Sequence, residues 1–281
     1  MSVPIGVFDS GHGGLTVLAE LERRLPQEHF LYLGDHAAAP YGQRSPAEIY
    51  ARTEAAVELL FALGGMLLVL ACNTAAAIAL RRLQQGWLAR RHPGRRVLGV
   101  LVPMVEAIGG QPWSASEPPP PPHPPARRVA LFATPRTVES NAYPEEVGRR
   151  APWVGVEQQP CAALAGAIEA DAPAAELDRL VQLYAAELLA RLGGRPLDAA
   201  VLGCTHYPLV EARFARALPG VPLLSQPELV ADSLIDYLAR RPEYRSGPGE
   251  SRFLTTGDAG FVSPLATRFA GRALRFQKVP G

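Results

Sequence analysis

Short apolar runs recur along the chain, separated by longer stretches in which apolar residues return every three or four positions. The runs fall at 4–8, 30–33, 66–71, 97–101, 129–133, 199–203, 221–224 and 252–255. Most are nearly continuous in Val, Leu, Ile, Phe or Ala rather than alternating with polar residues. A strand apolar on both sides is buried on both faces, which is the pattern of a parallel sheet covered by helices. The stretches between them, 46–63 and 174–192 among them, carry apolar residues at i, i+3 and i+4 and predict amphipathic helices. Strands and helices in this alternation predict a doubly wound α/β architecture.

The pattern also repeats. IGVFDSG (5–11) and VALFAT (129–134) both read as a strand ending in small polar residues. LLVLACNT (67–74) and DAAVLGCTH (198–206) both read as an apolar strand, a Cys, then amide or hydroxyl residues. Two such halves predict two similar parallel-sheet domains facing each other across a cleft. The first spans 1–98 plus 210–281 and the second 99–209. Between the copies, 111–128 reads QPWSASEPPPPPHPPARR. Proline fixes φ and offers no N–H, so this segment is expected as extended polyproline II, either a surface spacer or a docking site for a Pro-binding module.

Composition narrows the chemistry. A length of 281 residues fits about two domains, and 48% hydrophobic residues fit a globular chain. With 28 basic against 27 acidic residues, the net charge of +1 gives no general attraction to nucleic acid or anionic membrane. The only lysine is Lys278. A core Schiff-base lysine and a Gly-Lys-Ser/Thr phosphate loop are therefore both missing, which argues against pyridoxal-phosphate and P-loop enzymes. Three Cys point to a reducing, cytoplasmic compartment rather than a disulfide scaffold. No secretory signal is expected at 1–14. The uncharged stretch 59–80 is long enough to span a bilayer, but Gly64, Gly65, Asn73 and Thr74 favour a buried strand leading into a helix.

Cys72 and Cys204 each end a predicted strand and precede a predicted helix. Ligands of open α/β sheets bind outside the carboxyl ends of the strands, and a helix N-terminus there favours a thiolate. The alternative for each is a small buried hydrophobe. Asn73, Thr74, Thr205 and His206 offer donors and acceptors for an amino acid's charged groups. Asp9, followed by Ser10, is either a helix cap or a proton-handling partner. His206 is either a structural residue or a neutral base for Cys204. His12 lies in Gly11-His12-Gly13-Gly14, which only loosely resembles a phosphate loop, and Pro40-Tyr41-Gly42 reads as a loop. Cys204-Thr205-His206 is not a structural-zinc spacing, so no metal is expected.

IGVFDSGHGGLTVL, GDHAAAPYGQRS, ACNTA, ATPRTVES followed by AY, and LGCTHYPL, spanning 5 to 210, resemble the bacterial glutamate racemase family of the aspartate/glutamate racemase superfamily. FLTTGD (253–258) extends the likeness. The resemblance implies cofactor-independent interconversion of L- and D-glutamate, supplying peptidoglycan synthesis. Cys72 and Cys204 would be the two acid/base thiols, assisted by Asp9 and His206 respectively, with Glu169 as a further catalytic carboxylate. Ser10, Pro40, Tyr41, Gly42, Asn73, Thr74, Thr134, Thr137 and Thr205 would hold the substrate, and Cys161 would be structural. The expected partner is the small-molecule substrate glutamate, with neither nucleic acid nor membrane; a homodimer stays open. His12 stands where the family usually has Val, Ala133 replaces a Gly, 101–104 replaces a Pro-Gly type turn, and the proline-rich segment is an insertion. Other readings are racemisation of a different acidic amino acid such as aspartate, or of a hydantoin, a catalytically silent binding protein, and a Cys204/His206 hydrolase.

Overall fold

Among the described residues of the computed structural model, 3–110 and 127–279, ten strands form. They are β1 (Ile5–Asp9), β2 (Phe30–Gly34), β3 (Leu67–Leu70), β4 (Arg96–Gly99), β5 (Arg127–Ala133), β6 (Val154–Pro160), β7 (Ala199–Gly203), β8 (Leu223–Leu224), β9 (Arg252–Thr255) and β10 (Phe276–Lys278). They make one sheet in the order β10-β9-β2-β1-β3-β4 and another in the order β6-β5-β7-β8. Every pairing is parallel. The chain divides into two α/β units, Met1–Val100 with Pro227–Gly281, and Leu101–Gln226.

In the first unit, β1, β2 and β3 are buried along their whole length, as their unbroken apolar runs require. Leu15, Leu18 and Leu21 of the helix Gly14–Arg24 and Ile49, Val57, Leu60 and Phe61 of the helix Pro46–Ala62 are also buried. Each such side chain contributes about 1.5–3 kcal/mol of burial. The second helix starts where Ser45 Oγ accepts from the Glu48 N–H (3.2 Å) and Pro46 supplies a preset φ. The uncharged stretch 59–80 divides into the end of this helix, a turn, β3 and the helical start at Asn73. No helix among the described residues is long and apolar enough to cross a membrane.

In the second unit, β7 is wholly buried and β5 is buried from Val129 onward. The helix Ala174–Leu192 contributes Leu180, Val181, Leu188 and Leu192 to that core and ends at Gly193, whose φ of 58° places it in the left-handed region that glycine adopts without strain. The repeat seen in the sequence is a repeat of topology. β1 sits between β2 and β3, as β5 sits between β6 and β7.

Three sequence expectations change, and a fourth falls outside the described residues. The second domain, read as ending at 209, continues through the helix Glu211–Ala217 to β8, because β8 pairs with β7. The run at 97–101 stops as a strand at Gly99, and Leu101 opens the helix Leu101–Gly109. β6 and β10 went unseen because both are edge strands with partly exposed faces and carry Glu157, Gln158, Gln159 or Gln277 in place of a continuous apolar run. Most of the proline-rich segment, 111–126, lies outside the described residues, while Arg127 and Arg128 begin β5.

Candidate active site

The first unit brings Asp9, Ser10 and Cys72 to the carboxyl ends of adjacent strands, since β1 pairs with β3 through Phe8 and Leu70. Asp9 is fully buried, and its Oδ1 accepts from the Gly11 N–H (2.8 Å). That turn needs glycine beside it: a Cβ at Gly14 would lie 2.5 Å from the Asp9 Cβ. Cys72 is 5% exposed and caps the helical turn that follows it. Its Sγ accepts from the Ala75 N–H (3.4 Å) and lies 3.5 Å from Ser10 Oγ. Asn73 and Thr74 are buried at the same helix start. The loop after β2 adds Tyr41, whose hydroxyl donates to Asp35 Oδ2 (2.7 Å). Burial first, then the Asp35 carboxylate and the charge at Cys72, raise the Tyr41 phenol well above its ordinary value, so it stays a neutral donor. Pro40 follows a cis peptide bond and is exposed, and Gly42 is half-buried.

The second unit places Cys204, also 5% exposed, directly after β7. Its Sγ is 3.7 Å from His206 Nδ1, and His206 Nε2 is hydrogen-bonded to Glu169 Oε2 at the end of the helix Leu164–Glu169. Burial works against a charged imidazole, but the Cys204 thiol and the Glu169 carboxylate outweigh it and push His206 up to about 10. His206 is therefore cationic at neutral pH. Set between Cys204 and Glu169, it can stabilise a thiolate. Thr134 caps the helix Pro135–Glu139, its Oγ1 3.0 Å from Thr137 Oγ1 and 3.4 Å from the Thr137 N. Thr205 and Thr137 are buried. Cys161 has no such imidazole: its Sγ lies 3.6 Å from the Gln159 carbonyl, and burial holds the thiol well above its ordinary range.

Each unit thus presents one buried thiol just past the carboxyl end of a strand, with buried hydroxyl- or amide-bearing residues next to it in sequence. The family model of the Asp/Glu/Hydantoin racemases matches residues 5–234. The chain belongs to that family. A glutamate racemase of Cereibacter sphaeroides is 51% identical over 275 residues, covering 97% of this chain and 98% of the relative. A solved glutamate racemase from Bacillus anthracis superposes with a TM-score of 0.84 at 30% identity, covering 99% of this chain and 97% of that one. A glutamate racemase from Francisella tularensis, solved with D-glutamate, gives 0.83 at 26% identity, covering 100% and 97%.

Seen against the family, the residues named from the sequence group by unit: Asp9, Ser10, Pro40, Tyr41, Gly42, Cys72, Asn73 and Thr74 in the first, and Thr134, Thr137, Glu169, Cys204, Thr205 and His206 in the second. His12 is buried and used internally, its Nε2 3.1 Å from the Val262 carbonyl oxygen and its ring stacked on Phe269. Lys278, the single lysine, is exposed on β10. Sequence reasoning missed Asp35. It accepts from Tyr41 and from Thr256 Oγ1 (2.6 Å) and pairs with Arg52 (3.5 Å), so it fixes the loop that carries Tyr41. Its signal was present: Gly34-Asp35 ends β2 as Asp9 ends β1. Tyr143 and Gln226 were also missed; both are buried, with Gln226 Nε2 3.4 Å from the Tyr143 hydroxyl.

Proposed function

We propose that the chain's interconversion of L- and D-glutamate runs through two thiols, Cys72 and Cys204, without a cofactor. The observation that carries this reading is the matched placement of one buried thiol after the strand on the same side of the central strand in each sheet. Racemisation asks one base to remove the α-proton and one acid to return a proton on the opposite face. With L-glutamate, the Cys204 thiolate takes the α-proton and the Cys72 thiol gives its own, leaving a Cys72 thiolate and a Cys204 thiol. D-glutamate meets the reverse arrangement.

His206 and Glu169 support the first step by holding a cation against Cys204. The helix start after Cys72 supports the second, because the Ala75 N–H and the positive end of the helix favour a thiolate there. Asp9 assists on that side. Ser10, Pro40, Tyr41, Gly42, Asn73, Thr74, Thr134, Thr137 and Thr205 hold the substrate. All three cysteines are free thiols, which supports a reducing compartment, the cytoplasm. The D-glutamate product is destined for peptidoglycan, as the resemblance implies.

A second reading has one observation in its favour. Cys204, His206 and Glu169 line up as nucleophile, imidazole and carboxylate, the order of a cysteine hydrolase. It leaves Cys72 without a task. Turnover of each enantiomer in deuterated water, followed by circular dichroism and mass spectrometry, separates the two readings. Two thiols place deuterium in the product before it appears in the remaining substrate, in both directions. Label returning equally early to both enantiomers means a single shared base, and no loss of optical rotation at all means no racemase.

A further inference from the structure

Residues 81–96 read RRLQQGWLARRHPGRR, with six arginines and no Asp or Glu, in a chain whose net charge is +1. Two recesses lie against this stretch, both within the first unit. In the smaller, about 470 Å³, Arg240 and Arg241 are already committed to Asp236 (2.7 Å) and Glu243 (3.7 Å), and the guanidinium groups of Arg95 and Arg96 lie 4.8 Å and 5.8 Å from the ring centroids of Phe61 and Tyr244. The larger, about 720 Å³, is lined by Tyr50, Glu54, Arg81, Arg82, Trp87 and Arg90 among others.

Arg91 of this stretch pairs with Glu58 (3.1 Å), whereas Arg82 and Arg90, both on the larger recess, share with Arg95 and Arg96 the lack of a carboxylate partner among the described residues. Arg23, Arg24, Arg44 and Arg52 of the same unit all pair with carboxylates. Arg82 is oriented by an aromatic ring, and Arg90 lies beside it on the recess wall. The Arg82 guanidinium lies over the Tyr50 ring, 3.7 Å from its centroid. The Arg90 guanidinium lies against Gly86, where a Cβ would stand 3.0 Å from Nη1. An oriented, unpaired guanidinium keeps its planar fork of donors for an oxyanion and loses little side-chain freedom on binding one. The backbone here is also irregular. Wide π turns at Ala76–Leu80 and Leu83–Trp87 carry the recess residues Ala77, Ile78, Gln85 and Gly86, and such turns concentrate at functional sites.

We propose that this recess binds a small anion carrying two or more phosphate groups, gripped by the forks of Arg82 and Arg90. Two forks ask for two oxyanions, and the volume is that of a small-ligand site. A nucleic-acid backbone fits less well. The Glu54 carboxylate stands on the recess wall, and the near-zero net charge supplies no extended field to draw a polyanion. The inference is independent of which residues carry racemisation.

Calorimetric titration of the full chain with inorganic tripolyphosphate, at fixed ionic strength, tests it. The expected result is saturable binding of one tripolyphosphate per chain, tighter than orthophosphate. Arg82→Gln and Arg90→Gln should each weaken it at least tenfold, while racemisation without the probe stays unchanged. Arg82 and Arg90 are both exposed, so either replacement leaves the core intact. Arg82→Lys, which keeps the charge and loses the fork, should fall between. Unchanged affinity in both Gln variants overturns the site. So does displacement of the probe by L-glutamate, a stoichiometry well above one, or tighter binding of a single-stranded oligonucleotide than of tripolyphosphate.

Discussion

Cys72 and Cys204 occupy the same topological position in their sheets and are equally buried, yet their surroundings differ. Cys72 is met by fixed dipoles: the Ala75 N–H, the Ser10 hydroxyl and a helix start. Cys204 is met by a titratable cation, His206, itself held by Glu169. The strand ends decide where a thiol sits, and the two or three residues after it decide what stabilises its charge. A dipole keeps its value across the pH range, whereas a counter-ion can be lost. The two half-reactions therefore differ in what they depend on, although kcat/KM must be equal in the two directions, because enantiomers have equal free energy.

The comparison breaks most simply at the thiols. Cys72→Ala and Cys204→Ala should each lower kcat/KM in both directions by about a thousandfold or more, since every turnover uses both groups. The variants should differ in what they retain. Cys204→Ala should still exchange the α-proton of D-glutamate slowly, and Cys72→Ala that of L-glutamate. Proton NMR in deuterated water distinguishes them, and a variant that exchanges both enantiomers equally ends the assignment of one thiol to each direction.

His206→Asn sharpens the comparison at the next level. A loss of about a hundredfold is expected, equal in both directions for kcat/KM. The asymmetry should surface in the isotope effect on α-deuterated substrate, rising with L-glutamate, where Cys204 removes the proton, and not with D-glutamate. Equal rises for both would mean that His206 serves the fold rather than one thiol.

The same residue gives a stability signature. Its imidazole rises from an ordinary 6.5 to about 10 on folding. The folded state thus binds the proton more tightly, and the stabilisation is fully present below pH 6.5 and is lost as pH climbs through about 10. Urea unfolding at pH 6, 8 and 10 should show the gap between wild type and His206→Asn shrinking over that window. Ser10→Ala, on the dipole side, should show a gap that does not move with pH. The smallest effect belongs to Cys161→Ala: less than a twofold change in kcat and about 1 kcal/mol of stability, because that thiol is held neutral and bonds a carbonyl. A larger kinetic loss would bring it into the site of Cys204.

The sequence made the central strands legible because burial on both faces leaves no polar position in them, as in Leu67–Leu70 and Ala199–Gly203. Edge strands escape that reading. β6 keeps three polar residues because part of it faces water, and β10 is only three residues long. The thiols were legible because each interrupts an apolar run at its end. Asp35 carried the same strand-end signal as Asp9, but its task was not legible, since it holds Tyr41 and Thr256, and no local pattern records a partner 221 residues away. The domain boundary failed for a related reason. β8 is two residues of leucine, and only its pairing with Ala200 and Val201 reveals its sheet.

The topology of the first sheet also sets an order of assembly during synthesis. The second unit is continuous, so all its strands are available once Gln226 has left the ribosome. The first unit is divided around it: β2 waits for β9, and β9 for β10, whose residues are translated after the whole of the second unit. Until then β2 presents an unpaired parallel edge, the kind of surface that recruits foreign strands. Units ordinarily fold in the order in which they are translated, and here that order is reversed. A stop codon or a stalled ribosome between Gln226 and Arg252 would therefore release a chain with a finished Cys204 half and an open-edged Cys72 half, aggregation-prone rather than merely inactive.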